Sequence, residues 1–145
     1  MEGARSDVPQ PAPPRAHGTL DFRYHRAPGG AADVAAWVAG GPARSAERAP
    51  DPTMNFSVAG IAFDDMPVCA DGDVLLFELG IPGEPRRWRG GARVDRISPI
   101  PIDERDDFVA ATHRVAITLD TFADEGLTAL QAYTERTRQA NGRDR

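Results

Sequence analysis

The chain has 145 residues, 41% hydrophobic and 27% charged, a balance that fits one globular domain with a single core and not a disordered chain. Its net charge of −5 argues against a nonspecific nucleic-acid binder, which needs a broad basic face. No apolar run nears membrane-spanning length and residues 1–15 hold no leader-like apolar stretch, so no membrane insertion is expected and the expected address is the cytoplasm.

Cys69 is the one cysteine and His17, His25 and His113 are the histidines. A lone cysteine makes no internal disulfide, and a structural zinc site needs four such ligands at set spacings. No metal and no cofactor are expected. All 17 basic residues are arginine, so every side-chain cation is a planar fork suited to phosphate or a guanine edge.

Taken in chain order, residues 1–18 read as a disordered tail, with Val8-Pro9-Gln10-Pro11-Ala12-Pro13-Pro14 extended and without a core to join. The domain is expected over 19–140, with 141–145 disordered again. Residues 33–38 (DVAAWV) read as a first strand closed by Gly40-Gly41-Pro42, followed by a Pro-rich loop over 39–52. Residues 54–63 read as a second strand whose alternation slips beside Gly60, which suggests a bulge or kink. Further strands are expected over 74–79, 88–97 and 113–119, separated by Asp71-Gly72, by the turn-rich 80–85, and by Pro99, Pro101 and an acidic loop over 103–107. A helix follows, with Asp124 at its start, Leu127, Leu130 and Tyr133 as its apolar stripe and Asn141-Gly142 as its stop. Short strands between turn signals, then one helix, point to a small barrel or sandwich with the helix at an open end.

Two segments carry a resemblance. Asn55-Phe56-Ser57-Val58-Ala59-Gly60 resembles the [D/N]-x-S-x-x-G motif of the PilZ family, and Asp21-Phe22-Arg23-Tyr24-His25-Arg26-Ala27-Pro28 resembles that family's arginine loop. Phe22 stands where the first arginine of R-x-x-x-R belongs, with Arg23 beside it. A strict R-x-x-x-R at Arg44 to Arg48 ends seven residues before Asn55 and leaves no room for an intervening strand, so it reads as a loop. The resemblance spans residues 20–138 and implies a mainly β fold: a PilZ-like six-stranded antiparallel barrel with a C-terminal α-helix.

It also implies a function. PilZ domains are receptors for the bacterial second messenger cyclic di-GMP. By resemblance Arg23 and Arg26 would wrap the phosphates and guanines from a mobile loop. Asn55 and Ser57 would hold a guanine edge, and Gly60 would let the backbone come close. The implied output is contact with a protein partner, in control of motility, exopolysaccharide or biofilm. Two alternatives stay open: an adaptor of the same fold that has lost the ligand, and a nucleic-acid-binding barrel using Trp88 with Arg86, Arg87 and Arg89. The net acidity makes nucleic acid the less expected partner.

An enzyme is not expected. Asn55 stands where a G-x-S-x-G elbow needs its first glycine, and no Walker loop or G-x-G-x-x-G occurs.

Overall fold

The computed structural model describes residues 15–41, 48–66, 69–105 and 111–143. The Pro-rich residues 8–14, Pro42, Arg44, Asp106, Asp107 and residues 144–145 lie outside these. Seven strands form one antiparallel sheet: β1 (Ala16–Thr19), β2 (Asp21–Arg26), β3 (Thr53–Phe56), β4 (Gly60–Asp65), β5 (Val74–Gly80), β6 (Arg87–Pro99) and β7 (His113–Thr121). Their order is β1-β3-β4-β7-β6-β5-β2.

The two outermost strands are consecutive in the chain, with Leu20 alone between them. One bent strand therefore gives its first half to β3 and its second half to β5, and the sheet closes on itself. Counted by sides, this is the expected six-stranded barrel. Closure removes the exposed edges that an open sheet would present. Where β1 still has free carbonyls, the C-terminal helix α2 (Asp124–Arg143) covers them: the Tyr133 hydroxyl donates to Thr19 O at 2.8 Å and Asn141 Nδ2 to His17 O at 3.4 Å.

The interior follows from strand alternation. Phe22 and Tyr24 of β2, Met54 and Phe56 of β3, Ile61 and Phe63 of β4, Leu75, Phe77 and Leu79 of β5, and Val115 and Ile117 of β7 all point inward and are buried. Phe22 sits among Phe63, Phe77 and Tyr24 at ring-centroid distances of 5.4, 5.7 and 5.9 Å. Helix α2 closes one end, with Leu130 fully buried and Tyr133 stacked on Phe56 at 5.4 Å.

Several expectations need correction. Residues 33–38 belong to a helix, α1 (Ala31–Val38). Val34 and Trp37 are its buried residues, and their i, i+3 spacing is helical, while four alanines favour the helix intrinsically. Residues 21–26 are strand β2, paired residue by residue with β5, and not a loop. Strand β1 begins at Ala16, inside the segment expected to be tail. The slip near Gly60 is a full reversal between β3 and β4. Helix α2 continues through Asn141-Gly142 to Arg143, its Asn141 side chain bonded to β1.

Helix α1 lies on the outside of the barrel. Val34 and Trp37 pack there with Ala27 and with Leu76 of β5, and the His25 ring meets the Trp37 ring edge-on at 5.6 Å. Trp37 Nε1 donates to Phe77 O at 2.8 Å. Arg89 of β6 stacks its guanidinium over the Trp37 ring at 3.9 Å and donates to Trp37 O and Gly41 O at 3.1 and 2.7 Å. Those carbonyls lie at the helix C-terminus, where a cation is favoured. Gly40, at φ +96°, turns the chain out of the helix. Arg89→Ala is expected to cost about 1–2 kcal/mol. Amide exchange over 31–38 should quicken while the barrel strands stay protected, and Arg89→Lys should not restore it because lysine lacks the flat fork.

Candidate functional site: the β3–β4 hairpin and the outer barrel face

The N-x-S-x-x-G segment builds the hairpin from β3 to β4. Ser57 is buried; its backbone N–H donates to Gly60 O at 2.9 Å, and its hydroxyl accepts the Ala59 N–H at 3.2 Å. The serine is thus the turn's internal brace, a side-chain-to-backbone bond of the kind short hydroxyl residues make. Gly60 pairs with Thr118 on β7, and a Cβ there would collide with the Ile117 carbonyl. The glycine is required by the approach of two backbones.

Asn55 differs from both. Its neighbours Met54 and Phe56 point inward, so its carboxamide lies on the outer face, half-buried. His17 stands opposite it on β1, and His17 Nδ1 lies 2.8 Å from Asn55 Oδ1. The Asn55 oxygen is engaged as an acceptor, which leaves the NH₂ end to face outward partners. A small cleft of about 110 Å³ separates Val58 from Gln131, Thr134 and Glu135 of α2.

Arg23 and Arg26 are not part of this cluster. Both are exposed on β2, where Arg23 lies opposite Glu78 and Arg26 opposite Leu75. Arg23 Nε is 3.6 Å from Asp21, and Arg26 Nε is 3.3 Å from Asp73. Six residue steps along the chain separate His17 from Arg23, roughly 20 Å at extended spacing. Sequence reasoning overlooked the arginine nearer the hairpin: Arg15, exposed, immediately precedes β1, whose first residue pairs with Phe56. Its one signal is its place directly before β1, a strand whose sequence reads as tail.

The Trp88 cluster is structural. Trp88 is 5% exposed and belongs to the main core, so it offers no face to a base. Arg87 reaches Asp21 at 2.6 Å and Glu78 at 3.2 Å. The Arg87 hydrogen bond holds the Asp21 carboxyl below its usual range, against the opposing effect of burial. Arg89 clamps α1, and Arg86 lies 5.8 Å from the Trp88 ring centroid. Arg48, from the strict R-x-x-x-R, is likewise committed: it makes two bonds to Asp65 at 2.8 and 2.7 Å.

An open groove of about 580 Å³ runs beside the β1–β2 corner, with Leu20, Phe22, Pro50, Pro52, Ile81 and Pro85 among its walls. None of Arg23, Arg26, Asn55, Ser57 or Gly60 lines it. Among the described residues no helix is long and apolar enough to cross a membrane.

No model of a known protein family matches the chain, and no curated protein matches it. Among solved structures, the Bacillus subtilis inhibitor of motility (MotI/DgrA) is similar, with a TM-score of 0.63 at 20% identity. The match covers 92% of this chain and 53% of that one, so the chain spans about half the length of this neighbour. At that identity the likeness concerns the fold, and the fold of this chain is PilZ-like: an antiparallel barrel with a C-terminal helix.

Proposed function

We infer that the chain is a cytoplasmic cyclic di-GMP receptor of the PilZ type that hands its signal to a protein partner and catalyses nothing. One observation carries the reading: Asn55-x-Ser57-x-x-Gly60 folds as a rim hairpin that turns the Asn55 carboxamide onto the outer face. The amide's donors suit a guanine acceptor edge, and a neutral side chain there does not repel phosphate. A neighbour described as an inhibitor of motility supports a protein contact as output, and the motility apparatus is where a partner should be sought first.

Titration calorimetry with cyclic di-GMP, using GTP as control, tests this. Saturable binding at micromolar or tighter affinity is expected, with GTP silent and Asn55→Ala at least tenfold weaker. The double variant Arg23→Ala/Arg26→Ala assigns the β2 arginines. A tenfold loss makes them ligands that leave Asp21 and Asp73 on binding; unchanged affinity removes them from the site. The ion pairing of those arginines with Asp21 and Asp73 favours a second reading, an adaptor without nucleotide. Absence of both heat and thermal shift with cyclic di-GMP, from folded protein, would end the receptor reading and favour that adaptor, with the protein partner as the route to its function.

A further inference from the structure

The strand register lays one outward row across four strands. Asn55 on β3 pairs with Ala62 on β4, Ala62 with Ala116 on β7, and Ala116 with Arg96 on β6. The residues flanking the alanines, Ile61, Phe63, Val115 and Ile117, are all buried. Alternation therefore turns Ala62 and Ala116 outward with Asn55. A bulge between Val94 and Arg96 brings Arg96 into the same row. Three interstrand steps put the Asn55 and Arg96 backbones about 14 Å apart. Between them lie only two methyl groups, a low floor of purine width bounded by an amide at one end and a guanidinium at the other.

The charges on this face single out Arg96. Arg93 pairs with Asp95 and Asp120 at 3.4 and 3.6 Å. Thr118 donates to Asp95. On the next row Arg114 pairs with Asp64 at 2.8 Å. Arg96 is exposed and makes no ion pair among the described residues. Its fork is the one on this row with no carboxylate to displace.

We propose that Arg96 is the residue that makes this face select guanine, taking the O6/N7 edge of a base lying over Ala62 and Ala116. The proposal rests on the receptor reading above and adds its specificity determinant. A guanidinium donates twice to the O6/N7 edge of guanine; adenine presents N7 beside an amino donor, which a guanidinium does not match. Glutamine has the opposite preference, since its amide both donates and accepts.

The test measures affinities for cyclic di-GMP and cyclic di-AMP on wild type, Arg96→Ala, Arg96→Gln and Arg15→Ala. Wild type is expected to prefer cyclic di-GMP by a hundredfold or more. Arg96→Ala should lose at least tenfold for cyclic di-GMP with unchanged melting temperature, and Arg96→Gln should narrow the preference further by improving cyclic di-AMP. In wild type the Ala62 and Ala116 methyl signals should move upfield as a base covers them. If wild type binds cyclic di-GMP while Arg96→Ala keeps its affinity within twofold, or if Arg15→Ala is the variant that loses selectivity, the assignment of Arg96 is overturned and the receptor reading stands. If wild type binds neither dinucleotide, the receptor reading falls and Arg96 with it.

Discussion

Gly60→Ala is expected to cost about 3 kcal/mol and Gly60→Val more, the largest effect of any single substitution at the N-x-S-x-x-G motif. The added carbon meets the Ile117 carbonyl, a backbone atom held in the β4–β7 ladder through the Gly60–Thr118 and Ile117–Ile61 pairs. A side chain would swing away; this atom moves only if the ladder moves. The Ala59 carbonyl also accepts the Leu119 N–H at 3.1 Å, so the hairpin is tied to β7 on both sides of the glycine. A loss of this size is a large part of the 5–15 kcal/mol that holds most domains folded. Thermal denaturation should show a fall of about 10 °C for alanine. Valine should leave a substantial unfolded fraction at 37 °C. Melting temperatures within 2 °C of wild type for both variants would mean that the two backbones are not in contact at Gly60. The alanine variant, assayed cold where it remains folded, also separates the glycine's structural part from any part in ligand contact.

The contrast between Gly60 and Arg26 shows what was legible in the sequence. The N-x-S-x-x-G motif depends on local geometry: a brace at Ser57, a close approach at Gly60 and an outward amide at Asn55, all within six residues. Sequence spacing captures such a unit. The arginine segment depends on which strand neighbours which, and that is decided by residues far away. The pattern of 33–38 reads as the first strand, and that reading leaves Arg23 and Arg26 in a loop before it. Trp37 and Val38 are good strand formers, yet the alanines around them and the i, i+3 burial of Val34 and Trp37 make the helix win. Once α1 is a helix, the barrel must start earlier, in β1 and β2. The segment Ala16–Thr19 has no hydrophobic alternation of its own because Gly18 faces inward, beside Thr137, Phe56 and Tyr133. Its strand character is conferred by β3 and α2. The Arg96 row was illegible for a related reason, since it joins Asn55, Ala62, Ala116 and Arg96 through register alone.

Asp65→Ala is the second large effect, expected at about 2–4 kcal/mol. Asp65 is 6% exposed and ties together three parts of the chain. The Tyr24 hydroxyl donates to it at 2.9 Å from inside β2. Arg48 grips both of its oxygens, and the Met66 N–H donates to Oδ1 at 2.8 Å. Arg48 and Tyr24 also exchange backbone bonds at 2.7 and 2.9 Å, the one bridge across the β2 side of the barrel seam among the described residues. Removing the carboxylate strands a buried hydroxyl and a half-buried guanidinium and loosens that seam. Asp65→Asn keeps an acceptor for Tyr24 and should cost clearly less. A double-mutant cycle between Tyr24→Phe and Asp65→Ala should return a coupling of about 1 kcal/mol or more; additive effects would mean the hydroxyl and the carboxylate act independently. The same bond sets an alkaline limit. Burial, then the Asp65 charge, pushes the Tyr24 phenol well above its ordinary value. An unfolded tyrosine ionises near pH 10 while the folded one keeps its proton, so above about pH 10 the unfolded state binds fewer protons and stability falls as pH rises. Below pH 10 this contribution is fully present and flat. Urea midpoints between pH 8 and 11 should therefore decline for wild type and decline less for Tyr24→Phe; parallel curves for the two proteins would show that the phenol is free to ionise in the folded barrel.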